Sequence, residues 1–409
     1  MLLFKIYLYD FFNLKQHFYN DYKDNRYSFN YQFFIIKVKI SFIFFILFIF
    51  IKIFLQKLFK KVKNYSKGRK YIDKCLNNMY IRNNFIFYEF PIYSIIIPSY
   101  NCENSIYYPI ISIQNQNITQ YEIILINDLS KDNTSKVIQR LAKNDKRIKI
   151  INNKKNLGTL YSRCIGTLIS KGKYIFPLDN DDMLFEEDIF DYLYKVTKEF
   201  NYDIIGFRSV NAKSYSEKIR RMKDSSLYIY PNNLLVLQPE LSTWLISIKG
   251  KYKLHDVTLW GKIIKENIYK KAINLLGIKR YSSYMSWAED TSMNYIIFNV
   301  AESFKFISKY GILHLISFST ASYTQPINNK LFGDLFLTEI IFDFSKRNID
   351  KKYSASSALN IMNNFRQYRK TINNYNLQYF KNIIIKLLSS DFICKTDKYK
   401  LEKSFNNFY

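Results

Sequence analysis

The sequence contains few residues of the kinds that build disulfide frameworks or zinc clusters. Its 409 residues include only four cysteines and three histidines. The cysteines lie far apart and form no Cys-x-x-Cys pair, so neither a disulfide scaffold nor a zinc site is expected. Glycine (10) and proline (7) are also scarce, whereas hydrophobic residues make up 48% of the chain. We therefore expect a folded protein with a sizeable core rather than a disordered chain.

Acidic residues are few relative to basic ones, and the formal net charge is +27. A basic protein can bind nucleic acid, an anionic membrane surface or a phosphorylated substrate. The lysines are dispersed, and neither an arginine-rich arm nor a zinc-finger spacing accompanies them. We therefore expect no nucleic-acid partner.

Long apolar runs are rare, and the one that stands out lies near the N-terminus. Residues 40–51 contain only Ser41 as a polar interruption, and lysines flank this run on both sides. Because long lysine side chains near helix ends can reach the membrane interface, residues 35–58 are predicted to form a single membrane helix. A buried core helix is the alternative. Residues 1–34 are then an N-terminal tail and residues 59–92 a basic linker, and the orientation in the membrane stays open.

Beyond the linker, short apolar runs alternate with polar loops and helix-like segments. This alternation predicts a parallel sheet with helices on its faces. Ligands of such sheets bind beyond the carboxyl ends of the strands. Asn101, Asp128 and Asp179 each follow a predicted strand and are therefore expected to share one edge of the sheet. The first four predicted strands are Tyr93–Ile97, Tyr121–Ile126, Ile148–Ile151 and Tyr174–Leu178.

Three carboxylates follow the fourth predicted strand within four positions: Asp179, Asp181 and Asp182. Carboxylates this close raise one another's pKa unless a cation binds between them. Mg²⁺ typically takes one or two carboxylates together with phosphate oxygens. The cluster therefore predicts a divalent-cation site, with a solvated acidic turn as the alternative.

Five motifs, taken in order, resemble the family 2 glycosyltransferases, which have the GT-A fold. The motifs are Ser94–Asn101, Glu122–Thr134, Asn156–Gly158, Gly172–Asp182 and Ala288–Asp290. The resemblance implies an α/β domain of Rossmann-like GT-A type over residues 93–320, with a mostly parallel sheet flanked by helices. Residues 321–409 fall outside it and are predicted to form a helical extension. The implied reaction moves a sugar from a nucleotide-sugar donor, by family habit linked to UDP, to a glycan, protein or lipid acceptor with inversion.

The same resemblance implies which residues hold the donor. Asp128 would accept a hydrogen bond from the base, although a carboxylate there can equally cap a helix. The loop that contains Pro98, Tyr100 and Asn101 would lie against the base and ribose, although Asn101 can equally be only a turn former. Arg163 would help to bind phosphate, with a surface salt bridge as the alternative. The other implied donor contacts are Asn156, Gly158, Asp179 and Gly261.

Metal binding and catalysis are assigned to two further groups of residues by the resemblance. Asp179 and Asp181 match the family's DxD site for Mn²⁺ or Mg²⁺, with Asp181 as the direct ligand. His314 is a candidate metal ligand, with a core or surface histidine as the alternative. Asp290 matches the base that deprotonates the acceptor hydroxyl, next to Glu289. Acidic residues also favour helix N-termini for electrostatic reasons alone, which is the alternative for this pair.

Two other functions compete with a single-transfer enzyme. The first is a non-catalytic protein that binds nucleotide sugars on the same fold. Such a protein has no reason to keep Asp179, Asp181 and Asp290 together, so their presence argues against it. A processive polysaccharide synthase is expected to carry further membrane helices and a Gln-x-x-Arg-Trp motif. Gln367-Tyr368-Arg369-Lys370 does not supply this motif, and no later apolar run is long enough to cross a membrane.

Overall fold

A computed structural model gives the fold of most of the chain beyond residue 89. It describes residues 90–212, 223–224, 233–238, 240–241, 258–281, 284–285, 287–315, 326–345, 357–358, 361, 374–391, 393 and 395–406. The predicted tail, the predicted membrane helix at 35–58 and nearly all of the basic linker lie outside these residues. No helix in the part of the chain so described combines the length and apolar character needed to cross a membrane.

The described residues form ten strands and ten helices in the following order. The strands are β1 (Tyr93–Ser99), β2 (Tyr121–Asn127), β3 (Ile148–Asn152), β4 (Tyr174–Pro177), β5 (Met183–Leu184), β6 (Ile204–Ala212), β7 (Lys223–Asp224), β8 (Leu235–Leu237), β9 (Lys262–Lys265) and β10 (Ser303–Leu315). The helices are α1 (Tyr107–Gln114), α2 (Thr134–Asn144), α3 (Gly158–Ile169), α4 (Ile189–Glu199), α5 (Glu266–Leu276), α6 (Ile278–Tyr281), α7 (Glu289–Val300), α8 (Ile327–Phe344), α9 (Asn374–Leu388) and α10 (Lys395–Asn406).

The strands form one mixed sheet in the order β3-β2-β1-β4-β9-β6-β10-β5, with β7 paired to β6 and β8 to β10. The strands β3, β2, β1 and β4 are parallel, as the sequence predicts. The expectation of a mostly parallel sheet holds only in part. The strands β6 and β10 are also parallel, but β9 runs antiparallel to both of its neighbours, β4 and β6. The strand β5 also pairs antiparallel with β10.

The central strands are buried on both faces because helices cover each side of the sheet. In β1, Ile95 and Ile97 pack with residues of α1, α2 and α4, whereas Ile96 packs with α3, α5, α7 and α8. This alternation is the ordinary period of a strand, and burial on both faces explains why the parallel strands are nearly continuous apolar runs. The polar loops at the carboxyl ends of these strands are thereby fixed on a rigid sheet.

The helix α8 belongs to two apolar cores at once. Phe336 and Ile340 pack into the core that contains α7 and one face of the sheet. Leu335 packs instead with Phe380 of α9 and Leu401 of α10. The three C-terminal helices therefore pack continuously with the sheet-bearing part of the chain through α8.

Candidate active site

The candidate site lies at the carboxyl ends of β1, β2 and β4. The register places Ser99 opposite Asn127 in β2, and Ile96 opposite Pro177 in β4. The loops that follow these strands therefore start at the same edge of the sheet, as expected. The side chain of Asn180 adds a direct link, since its Nδ2 donates to the carbonyl oxygen of Pro98 at 2.9 Å.

A buried arginine joins the two acidic motifs of the sequence. The side chain of Arg163, on α3, is only 3% exposed. Its Nη2 donates to Oδ1 of Asp179 at 2.5 Å, and its Nη1 donates to Oδ1 of Asp290. A surface salt bridge is therefore the wrong interpretation of Arg163. The contact brings the first residue of the predicted cation site and the predicted base, which is 127 positions from Arg163, into one site.

The acidic pair Glu289-Asp290 opens helix α7 beside this arginine. The second oxygen of Asp290 accepts a hydrogen bond from the backbone N–H of Leu259 at 3.0 Å. Burial raises the pKa of Asp290, and the charge of Asp179 acts in the same direction, against the lowering effect of Arg163. Burial and the charge of Asp290 raise the pKa of Glu289 to about 7. Both carboxyl groups therefore hold a proton more readily than carboxyl groups in water.

The last carboxylate of the acidic cluster is fully buried and tied to strand β10. Asp182 accepts hydrogen bonds from Nδ1 of His314 at 2.9 Å and from the backbone N–H of Leu315 at 3.1 Å. The ring of Trp260 stacks on His314 with 4.6 Å between ring centroids. Burial lowers the pKa of His314, but the hydrogen bond and charge of Asp182 more than offset this and raise it to about 9. Because Nδ1 faces Asp182, the ring could offer only Nε2 to a metal, and only after that nitrogen loses its proton.

The donor atoms of the cluster suit a hard divalent cation. Burial and the charges of Asp182 and Asp179 raise the pKa of Asp181 to about 7, so a cation there would relieve unfavourable repulsion. Among the residues that the structure describes, no three His, Cys, Asp or Glu side chains form a complete metal site. Asp181 and the second oxygen of Asp179 offer the one or two carboxylates that Mg²⁺ combines with phosphate oxygens.

Asp128 is bound by the protein itself. Its carboxylate accepts hydrogen bonds from the side-chain amide of Asn153 at 2.7 Å and from the N–H groups of Leu157 at 3.0 Å and Gly158 at 2.7 Å. These contacts cap the N-terminus of α3 and confirm the helix-cap interpretation. A contact between Asp128 and a nucleotide base stays a prediction.

The loop after β1 is joined to the loop after β2 by reciprocal hydrogen bonds. Asn101 has a left-handed backbone (φ 48°), and its Oδ1 accepts from the N–H of Lys131 at 2.8 Å. The N–H of Cys102 donates to Oγ1 of Thr134 at 2.8 Å. Tyr100, directly before these two anchored positions, is 40% exposed. The two loops therefore form one rigid edge that presents Tyr100 to solvent.

The two glycines among the predicted donor-binding residues are required by the structure for different reasons. Gly158 has a φ of 84°, and a Cβ there would lie 2.2 Å from the carbonyl oxygen of Met285. Its absence of a side chain therefore lets α3 meet the segment that precedes Glu289. Gly261 has a φ of 76° with ordinary space around it, so its backbone conformation alone favours glycine. Asn156 is half-buried in the loop before α3.

Several residues of the site were missed by sequence reasoning. Leu259 and Asn153 contact site carboxylates through a backbone and an amide group that no sequence pattern distinguishes. Asp182 is part of the carboxylate cluster predicted to bind a cation, but its carboxylate pairs with His314. The pairing of Arg163 with both motifs was also missed, because nothing in the spacing shows which distant carboxylates meet.

The sequence of residues 94–270 matches the family described as Glycosyl transferase family 2. An uncharacterized glycosyltransferase of Haemophilus influenzae is 46% identical over 93 residues, which are 23% of this chain and 29% of that protein. The Staphylococcus aureus poly(ribitol-phosphate) beta-N-acetylglucosaminyltransferase TarP is 26% identical over 294 residues, 68% of this chain and 88% of TarP. The chain thus spans under a third of the length of the first of these relatives.

A solved structure shares the fold. The crystal structure of S. aureus TarS 1-349 in complex with UDP-GlcNAc superposes with a TM-score of 0.54 at 14% sequence identity. The superposition covers 77% of this chain and 89% of the TarS chain. The predicted GT-A class of fold is therefore confirmed, with a mixed sheet. Residues 94–270 of this chain are therefore similar to the family 2 glycosyltransferases, as the sequence motifs predict.

Proposed function

We propose that this protein is an inverting glycosyltransferase that moves a sugar from a UDP-linked donor to an acceptor hydroxyl. The observation that carries the proposal is the buried bridge from Arg163 to Asp179 and Asp290. It sets Asp179, a carboxylate that could hold a cation for the donor's diphosphate, next to Asp290, a carboxylate suited to the acceptor hydroxyl. A site with those two halves fits a single direct transfer between them.

Asp290 is the proposed general base. An acceptor hydroxyl is a poor nucleophile at neutral pH and reacts faster when a carboxylate takes its proton. Asp290 is held by Arg163 and by the backbone of Leu259, so its orientation is fixed before the acceptor arrives. Attack by the activated hydroxyl on the face opposite the departing nucleoside diphosphate gives inversion. Glu289, whose pKa is also raised, is the second candidate for this role.

Asp181 and Asp179 are the proposed holders of a Mn²⁺ or Mg²⁺ ion. Such an ion, when bound, supplies a positive charge that neutralises the diphosphate of the leaving group. Asp182 and His314 are proposed to fix the backbone of the acidic loop, since Asp182 ties it to β10 through His314 and Leu315. Nε2 of His314 remains a candidate ligand.

The nucleoside is proposed to lie on the edge formed by the loops after β1 and β2. Tyr100 and Leu129 are large apolar side chains that are 40% and 50% exposed there. Leu129 and Asn101 both hold left-handed backbone conformations, and such strain persists where the surroundings impose it, often at ligand sites. UDP-GlcNAc is the first donor to test because TarS, which shares the fold, has been crystallised with it.

Attachment to a membrane through residues 35–58 is proposed from the sequence. Single-pass anchoring would place the enzyme beside a membrane-bound glycan, protein or lipid acceptor. Full-length protein should then stay in the pellet after carbonate extraction of membranes. Its release into the supernatant would contradict the proposed anchor.

The proposed activity is tested with purified full-length protein in detergent. Hydrolysis of UDP-GlcNAc and other UDP-sugars is measured with Mn²⁺, with Mg²⁺ and with EDTA. Release of UDP that depends on the cation supports an enzyme. Binding of UDP-sugar without release of UDP, in the presence of candidate hydroxyl acceptors, would favour the non-catalytic alternative.

A further inference from the structure

The C-terminal helix α8 contacts the segment that immediately precedes the acidic pair Glu289-Asp290. Nε1 of Trp287 donates a hydrogen bond to Oδ1 of Asp334 at 3.0 Å. The ammonium group of Lys330 lies 5.0 Å from the centroid of the Trp287 ring, on its face. Both partners are on α8, outside the residues that match the family. The indole is therefore held by a hydrogen bond and a cation–π contact from one helix.

The backbone of α8 lies so close to Trp287 that only glycine fits at position 333. A Cβ on Gly333 would lie 2.1 Å from the carbonyl oxygen of Trp287 and 2.8 Å from its carbonyl carbon. Two positions before Trp287, Met285 is approached in a similar way by Gly158 of α3. The backbone before Glu289 is thus packed directly against the backbone of two helices.

This packing coincides with backbone strain next to the proposed base. Ala288 has a left-handed conformation, with φ 57° and ψ 9°. A residue with a Cβ is strained in this region and needs surrounding structure that imposes the conformation. The helix α7 starts at the next residue, and the N–H of Ser292 donates to the carbonyl oxygen of Ala288 at 3.0 Å. The direction of the first turn of α7, which carries Asp290, therefore depends on how Ala288 is held.

We propose that Gly333 and Asp334 of α8 are positioning residues that hold Trp287 and Ala288 so that Asp290 stays beside Arg163 and Leu259. The helix α8 then supports the proposed active site, because it holds the strained residue that directly precedes α7. The catalytic half of the inference rests on the proposed function, with Asp290 as base. The structural half, that α8 holds Trp287 and Ala288 in place, can be tested without measuring enzyme activity.

The test compares Asp334→Ala with Asp334→Asn in the full-length protein. Asparagine keeps an oxygen that accepts from the indole N–H, whereas alanine does not. Amide hydrogen exchange of Ser292 reports the first turn of α7 directly. We expect faster exchange at Ser292 in Asp334→Ala, and exchange close to wild type in Asp334→Asn. Trp287→Phe, which removes the donor, should resemble Asp334→Ala, and the double variant should be no worse than either.

Turnover of UDP-GlcNAc gives the catalytic readout. We expect kcat to fall by about 10- to 100-fold in Asp334→Ala, the size of loss that a small misplacement of a catalytic group produces. The KM for the donor should stay within about twofold, since the donor half of the site is untouched. The matched control is Asp343→Ala on the same helix, whose carboxylate pairs with Arg280 and Lys386. It should lower stability and leave kcat and Ser292 exchange unchanged.

Two results would overturn the proposal. One is Ser292 exchange that is the same in Asp334→Ala and in wild type. The other is an Asp334→Asn variant as impaired as Asp334→Ala, which would mean that the hydrogen bond from Trp287 is not what matters. A wild-type protein that turns over no donor would refute the proposed function, and the exchange experiment would still decide whether α8 holds Ala288.

Discussion

Replacing Arg163 by methionine should destabilise the protein because two carboxylates lose their shared counter-charge. Each lost charge-assisted hydrogen bond is worth about 1.5–3 kcal/mol, and breaking a buried ion pair costs about 3–5 kcal/mol. Methionine also removes the buried Nε of Arg163, which lacks a hydrogen-bond partner among the described residues. Because removing an unsatisfied buried donor is favourable, we expect the lower end of the range of about 3–5 kcal/mol. At about 2–4 °C per kcal/mol, a loss of about 3 kcal/mol lowers the Tm by about 6–12 °C.

The assay is thermal unfolding of full-length protein at pH 7, combined with a double-mutant cycle. Asp290→Asn removes one of the two charges that Arg163 neutralises. The double variant Arg163→Met/Asp290→Asn should therefore be less destabilised than the sum of the single variants. Arg163→Lys should lie between wild type and methionine, because one ammonium cannot bridge two carboxylates as a guanidinium does.

A matched control comes from Arg147, which pairs with one carboxylate, Asp145, at 2.7 Å. Arg147→Met should lower the Tm without changing the turnover of UDP-sugar, because this pair lies in the turn between α2 and β3. Additive effects of Arg163→Met and Asp290→Asn would refute the bridge. So would an Arg163→Met protein with the Tm of wild type.

Three further predictions concern separate parts of the domain. Asp181→Ala should abolish the Mn²⁺-dependent part of UDP binding in calorimetric titration while leaving the Tm within a few degrees; unchanged UDP affinity with Mn²⁺ would refute its role. Glu122→Gln removes a buried carboxylate that Lys149 contacts at 2.5 Å, and should cost about 2 kcal/mol at pH 7. Burial raises the pKa of Glu122, but its hydrogen bonds lower the pKa overall, below the value of 4.5. The destabilisation by Glu122→Gln should therefore shrink as the pH falls from 4.5 through the pKa of Glu122 in the folded protein. Denaturant unfolding at several pH values measures this change. Gly158→Ala should produce little folded protein because its Cβ would overlap Met285, and a wild-type Tm would contradict the close approach.

The parallel half of the sheet could be predicted because its strands carry an unmistakable pattern. All seven residues of β1 and of β2 are buried, and each strand contains a continuous apolar stretch, Ile95–Ile97 or Ile123–Ile126, shortly before polar residues. The strand β9 was missed, since it has four residues with lysine at both ends and merges with the helix that follows. The strand β10 runs unbroken from Ser303 to Leu315, but its register with β6 shifts between Ile307 and Ile312, and no sequence pattern shows such a shift.

The sequence predicts which residues belong to the candidate site better than it predicts which of them contact one another. The acidic loop, Asp290 and His314 were each found from motif and residue type. Their partners could not be found, because Arg163 and Asp182 meet residues more than 100 positions away and any of several carboxylates could have filled those roles. The contact of α8 with Trp287 was equally hidden, since a glycine inside a helix does not reveal which backbone it approaches.

The central claim is that Asp290 accepts the proton of the acceptor hydroxyl. Asp290→Asn keeps one of the two oxygen acceptors, which Arg163 and the N–H of Leu259 contact separately, and removes the basicity. The measurement is the rate of sugar transfer to acceptor, alongside the Kd of the UDP-sugar, for Asp290→Asn and Glu289→Gln. The account predicts a loss in turnover of about 10²- to 10⁴-fold for Asp290→Asn, with donor affinity nearly unchanged and a smaller loss for Glu289→Gln. Near-normal transfer by Asp290→Asn, with Glu289→Gln inactive, would contradict it and make Glu289 the base.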